Sequence, residues 1–289
     1  MSSAADQARP ASDQASAAER QQADAQRAVR RAREASEAVR LAIATQAYRA
    51  GLVQEGFAQP VHDYVVGCIG RPVRLLRAGC LTSLDELGLD LLRVSGFEIG
   101  VTTIDEDRPE FAGLPEEVTL GDLRTVPLTP RSFDIVHCSL LLDRISKVEL
   151  VLDRFVAALR PGGLLLLRIR DPDCAAAVLD RHLPEWARRA LWAQRYPALP
   201  GPFPAVYSPE ASDRGVQDFA QMRGLTIAHR ETGTTWPNRP ESGRAGRKVR
   251  AGRLACRLIC KLTRGHATDA YDEVSYVIRR PEDRFARVL

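Results

Sequence analysis

The chain has 289 residues, of which 45% are hydrophobic and 27% charged, with a formal net charge of +4. That length admits one large domain or two small ones, and the balance excludes a chain too polar to build a core. No apolar run reaches about 18 residues and the N-terminus lacks an apolar signal core, so neither a membrane span nor a secretory leader is expected, and a cytoplasmic location follows.

The positive charge is nearly all arginine, with lysine only at Lys147, Lys248 and Lys261. Arginine spread in this way is weak evidence for a nucleic-acid partner, and none is expected. Cys68, Cys80, Cys138, Cys174, Cys256 and Cys260 form no CxxC pair. They read as reduced core thiols, and no metal site is predicted.

In chain order, residues 1–56 form a disordered start followed by a helix from about Ala17 to Gln46, free of Pro and Gly. Val29, Ala32, Ser36, Val39 and Ile43 give it one weak apolar face. The helix either lies solvated on the domain or pairs two copies in a homodimer. From residue 57 to 289 a single α/β domain is expected. It opens with a short helix and a turn over 57–72. A strand follows at Val73–Leu76, and the leucines at 84, 87, 91 and 92 predict a helix over 84–94, stopped by Gly96. Further strands are predicted at 99–104, 118–120 and 133–138. A helix over 148–159 ends at Pro161-Gly162-Gly163, and the run 164–169, apolar except at Arg168, reads as a strand covered on both faces. Alternating strands and helices imply βαβ units and a parallel sheet.

The second half is less regular. Residues 175–196 predict a helix in two pieces around Pro184, and 197–209 a proline-stiffened loop. A helix over 211–223 and strands at 225–230 and 274–279 complete seven strands. Between the last two strands lies an insertion, residues 236–267, rich in arginine. Within it Leu254, Leu258 and Leu262 repeat every fourth residue. This amphipathic basic helix either packs its leucines on the domain and solvates its arginines, or meets a membrane surface or an anionic partner.

Two blocks carry a resemblance. The first is Gly121-Asp122-Leu123, then Val126-Pro127-Leu128, then Ser132-Phe133-Asp134-Ile135-Val136-His137-Cys138-Ser139; the second is Leu159-Arg160-Pro161-Gly162-Gly163-Leu164-Leu165. In this order and spacing they resemble the class I S-adenosylmethionine-dependent methyltransferases of the small-molecule type, well over residues 70–171 and loosely over 172–280. The resemblance implies a Rossmann-like, doubly wound, mostly parallel seven-stranded sheet with helices on both faces, here with an N-terminal helical extension. It implies S-adenosylmethionine as cofactor and a small-molecule acceptor. Gly79, Cys80, Asp105, Glu106, Asp122 and Leu123 would line the cofactor site, with Asp105 accepting the ribose hydroxyls and Asp122 the adenine amino group.

Each aspartate also has a plain alternative: Asp105 as a strand-end residue, Asp122 as the cap of the following turn. His137, near the end of the fourth strand, is either a general base toward the acceptor or a histidine packed beside the cofactor. The resemblance implies that Trp186, Trp192, Tyr196, Pro202, Phe203 and Tyr207 shape an acceptor pocket; the alternative is that they pack as core or as a lid. Departures from the family pattern fall in Leu76-Arg77-Ala78-Gly79-Cys80-Leu81-Thr82-Ser83. Leu81 and Ser83 stand where glycine is usual, and Arg77 where a carboxylate is usual. They motivate a second reading, a methyltransferase-like protein that binds or assembles without cofactor.

Overall fold

The computed structural model describes residue 26 and residues 56–79, 84–106, 118–195, 206–234, 254–263 and 266–282. Apart from residue 26, the N-terminal helical extension lies outside the described residues, and so does much of the insertion. Seven strands form one sheet: β1 (Val73–Ala78), β2 (Ile99–Asp105), β3 (Val118–Leu120), β4 (Phe133–Ser139), β5 (Leu159–Arg170), β6 (Thr226–Gly233) and β7 (Glu273–Arg279). Their order is β3-β2-β1-β4-β5-β7-β6. The pairs β1–β2, β1–β4, β2–β3 and β4–β5 are parallel. Strand β7 runs antiparallel to both β5 and β6. The sheet is therefore mostly parallel, with an antiparallel flank.

Helices cover both faces, because the central strands are apolar on both sides. On one face α1 (Ala58–Val66) and α2 (Leu89–Val94) pack Val61, Val65, Leu89 and Leu92 against Leu75, Ile135 and Leu166. On the other, α3 (Val148–Ala158) and α6 (Asp213–Met222) pack Val151, Leu152, Phe155, Val216 and Phe219 against Leu76, Val136 and Leu165. Leu75 and Leu76 thus serve opposite cores, the period-two alternation of a strand. Burial of each such side chain contributes about 1.5–3 kcal/mol. Beyond the end of β5, α4 (Ala175–His182) and α5 (Glu185–Arg195) follow in sequence. A helix over 254–262, α7, packs on α4 through a third cluster that includes Ala175, Ala176, Cys256 and Ile259.

Three expectations are corrected. The helix predicted over 84–94 is broken: a 3-10 turn at Asp85–Leu87 is separated from α2 by Gly88, which is left-handed. Pro161-Gly162-Gly163 does not end a helix. Helix α3 stops at Ala158, and β5 begins at Leu159 and runs through the glycines. A Cβ on Gly163 would lie 2.8 Å from the Asp134 carbonyl oxygen, so this close strand approach requires glycine. The tail of β7 secures the same segment, with the Gly162 amide donating to Arg280 O (3.0 Å) and the Arg280 amide to Gly163 O (2.9 Å). Third, the leucines of α7 do not pack on the domain: Leu254, Leu258 and Leu262 are exposed, and Cys256 is buried instead.

At the amino end of β4, Asp134 organises the lower rim. Its buried carboxylate accepts from Arg71 Nη1 (2.7 Å), the Arg74 amide (2.9 Å), Arg160 Nη1 (2.9 Å) and the Tyr64 hydroxyl (3.3 Å). Burial pushes its pKa up, but the Arg74 amide and the two guanidiniums prevail and hold it below the usual range.

Candidate functional site

Strand order reverses between β1 and β4, with β2 and β3 on one side and β5 on the other. In an open α/β sheet, ligands sit at this switch point, outside the carboxyl ends of the strands. Gly79 follows β1 there, and its amide donates to Ile104 O (2.8 Å). Its φ of +86° favours glycine, and a Cβ would lie 3.5 Å from Leu141 Cδ2. Leu141 reaches Gly79 because Leu140, just past β4, adopts a φ of +50°. A left-handed leucine is strained by about 1–3 kcal/mol, and such strain concentrates at functional sites. The Leu140 amide donates to Arg168 O (2.8 Å), fixing the turn to β5. Cys80, with residues 81–83, lies outside the described residues.

Asp105 closes β2 and is 1% exposed. Its Oδ1 accepts the Glu106 amide (2.8 Å), and Arg144 Nη2 stands 3.6 Å away. The Gly121 amide donates to Asp105 O (3.0 Å), so the Gly-Asp pair after β3 is tied to the end of β2. Gly79, Asp105, Glu106 and Asp122 thereby share one edge of the sheet. Glu106 is half-buried, and its Oε1 is shielded from solvent with no hydrogen-bond partner among the described residues.

Asp122 is half-buried, and its Oδ1 accepts from both the amide and the Nε of Arg124, each at 2.8 Å. These contacts, the side-chain bond foremost, lower its pKa. It therefore does cap its turn. The Leu123 side chain is fully buried in the α3-side core, which leaves only its backbone to meet a ligand.

His137 lies on the opposite sheet face from that core, beside Arg77 and Leu166 in register. It is 0% exposed, and its Nε2 is 2.7 Å from Glu86 Oε1. The other Glu86 oxygen pairs with Arg168 Nη1 at 2.7 Å. Phe57 seals the cluster, its ring edge-on to His137 at 5.8 Å and Arg168 5.7 Å over its face. Burial pushes the Glu86 carboxyl up, but His137 and Arg168 hold it below the usual range. His137 Nδ1 is buried with no partner among the described residues.

A second charged cluster lies across the end of β5. Arg170 Nη1 donates to the Tyr207 hydroxyl (3.1 Å) and stands 3.4 Å from Asp143 Oδ2. Tyr207 in turn donates to Asp180 Oδ2 (2.9 Å), and Arg188 Nε holds Asp180 Oδ1 (3.1 Å). Burial raises the Asp143 carboxyl, and Arg170 and Arg144 only partly offset it. Tyr207, one of the expected aromatic residues, is buried in this cluster, whereas Trp186 is exposed. The Trp192 side chain, Tyr196, Pro202 and Phe203 lie outside the described residues.

Glu86, Asp143, Arg144, Arg168 and Arg170 were not singled out by motif. A signal for them existed: Arg168 and Arg170 interrupt an apolar strand run, and a charge carried into a core requires a partner.

The chain matches the family model described as a methyltransferase domain over residues 19–219. A malonyl-[acyl-carrier protein] O-methyltransferase from Xylella fastidiosa is 41% identical over 59 residues, 20% of each chain, so the chain matches about a fifth of that relative's length. Among solved structures, a loganic acid methyltransferase with SAH is 14% identical with a TM-score of 0.46, covering 87% of this chain and 94% of its own. A SAM-dependent methyltransferase from Archaeoglobus fulgidus is 13% identical with a TM-score of 0.42, covering 83% and 94%. One from Mesorhizobium loti is 18% identical with a TM-score of 0.40, covering 72% and 91%. The family match spans well over half of the sequence, and the chain belongs to the methyltransferase domain family.

Proposed function

We propose that the chain is an S-adenosylmethionine-dependent methyltransferase acting on a small-molecule acceptor in the cytoplasm, through a domain running from residue 57 to 289. The observation that carries this reading is the shared edge at the switch point, where backbone hydrogen bonds tie Gly79 to Ile104 and Gly121 to Asp105, and so bring Gly79, Asp105, Glu106 and Asp122 to one edge. The residues fit the adenosine end of the cofactor. Bare backbone at Gly79 allows close approach, and Asp105, Asp122 and the unpartnered Glu106 Oε1 supply acceptors for hydroxyl and amino groups.

When bound, S-adenosylmethionine supplies an activated methyl group, so the protein's task is positioning. Asp105 and Glu106 would hold the ribose end. Asp122 would orient the base through the oxygen that Arg124 leaves available, and the Leu123 backbone and Cys80 would complete the wall. In place of the usual carboxylate on β1, the negative charge on that side comes from Glu86, held by His137 and Arg168. His137 then acts as a positioning residue through Glu86. A role as general base would need Phe57 to withdraw, since the imidazole is fully buried. The likeness to an O-methyltransferase, over its 59 residues, makes carboxylates and hydroxyls the first acceptors to screen.

The second reading, binding without cofactor, is favoured by one observation: Leu141 packs against Gly79 where the cofactor would approach. Calorimetric titration with S-adenosylmethionine and S-adenosylhomocysteine separates the two. Binding that weakens at least about tenfold in Asp105→Ala is expected, because a lost hydrogen bond to a charged group is worth roughly 1.5–3 kcal/mol. No heat with either ligand would overturn methyl transfer in favour of the second reading.

A further inference from the structure

Helix α7 has two apolar sides. One, Cys256 and Ile259, is packed into the cluster on α4. The other, Leu254, Leu258 and Leu262, is 59%, 52% and 82% exposed. At 100° per residue the three leucines form one stripe, opposite Cys256, with Ile259 beyond one margin and Arg257 and Lys261 on the other. Both cations are exposed. Residues 242–268 contain eight lysines and arginines and no aspartate or glutamate.

The face is therefore apolar, and cationic along one margin. It fits a surface that yields to three leucines and offers negative charge beside them. We propose that α7 docks the protein on an anionic lipid bilayer, with Leu254, Leu258 and Leu262 entering the acyl boundary and Arg257 and Lys261 meeting lipid phosphates. A nucleic acid would satisfy the cations but leave the leucines in water. Because α7 rests on α4, which follows the carboxyl end of β5, docking would bring that end of the sheet near the lipid. The inference does not depend on methyl transfer.

The test is flotation of the full chain with vesicles of phosphatidylcholine alone or mixed with phosphatidylglycerol. Partition is expected only with the anionic lipid, and it should weaken as salt is raised. Replacing Arg257 and Lys261 by Gln is expected to weaken it about tenfold or more, at about 1 kcal/mol per cation near an anionic surface. The triple change Leu254→Ser, Leu258→Ser, Leu262→Ser is expected to weaken it at least as much, with the melting temperature unchanged because these side chains are exposed. Equal partition to both vesicle types, no partition to either, or full binding by the leucine variant would overturn the proposal. So would partition that survives the loss of both cations.

Discussion

The fourth strand has a buried aspartate at its amino end, and a half-buried one follows just past its carboxyl end; the two are treated in opposite ways. Asp134 receives two guanidiniums, an amide and a tyrosine hydroxyl, and its pKa is held below the usual range. Asp143 pairs with Arg170 at 3.4 Å, has an Oδ1 with no hydrogen-bond partner among the described residues, and has a pKa that burial drives up. Same residue type, different surroundings: the lower rim is built for stability, and the upper rim carries unresolved electrostatic cost. Perturbed carboxylates of the second kind cluster where ligands act.

Substitution sharpens the contrast. Asp134→Ala removes the buried acceptor that Arg71, Arg160, Tyr64 and the Arg74 amide share; with both arginines partly in water, it is expected to cost about 1.5–3 kcal/mol in denaturant unfolding. Asp143→Asn keeps the shape, trading relief of a half-buried charge against loss of a counter-ion for Arg170; it is expected to change stability by less than about 1 kcal/mol. Equal losses would erase the distinction between the rims.

The pH dependence gives a second separation. A carboxyl whose folded pKa is depressed contributes stability above its unfolded value, 3.8 for aspartate, and loses it as pH falls through the folded value. The deficit of Asp134→Asn relative to wild type should therefore persist down to about pH 4 and close below it. A raised carboxyl does the reverse: its burial penalty is complete above the folded pKa and vanishes as pH falls toward 3.8. Any advantage of Asp143→Asn should shrink on mild acidification. Parallel curves for the two variants would contradict the opposite shifts.

At the site itself, Glu86→Gln keeps a partner for His137 but loses the charge facing Arg168. It is expected to be destabilised by roughly 1–3 kcal/mol, with Glu86→Ala worse, as read by thermal melting. The smallest effect is expected at Gly79→Ala. The new methyl meets Leu141 at ordinary contact distance, so the cost, about 1 kcal/mol, comes from the positive φ.

The strands and the two motif blocks were legible because period-two alternation and apolar runs survive in the sequence: β1, β2, β3, β4 and β7 start within a residue of where the pattern puts them. What failed was decided by contacts distant in sequence. Leucines at 84–92 look continuous, and only the conformation at Gly88 breaks them. The Pro-Gly-Gly segment looks like a turn, yet residues more than a hundred positions later recruit it into β5. The leucines of α7 carry the stronger helical signal, yet Cys256 takes the buried side, with Ile259 partly buried, in the cluster formed with the alanines of α4. The candidate site was legible along its backbone edge, at Gly79, Asp105 and the Gly121-Asp122 pair. Its charged surroundings were not, since Glu86 and Arg168 meet only through the fold.

The position of β7 has a consequence for assembly. Among the described residues it is the last strand in sequence, yet it sits between β5 and β6 and is the strand that pairs with β6. During synthesis, β5 waits with one open edge, and β6 waits without a neighbour, until residue 273 and those after it emerge. An open, apolar strand edge is a template for wrong pairing. The slow, error-prone stage of folding should therefore be the late insertion of this one segment, and chaperone dependence should track how long β5 stays uncovered.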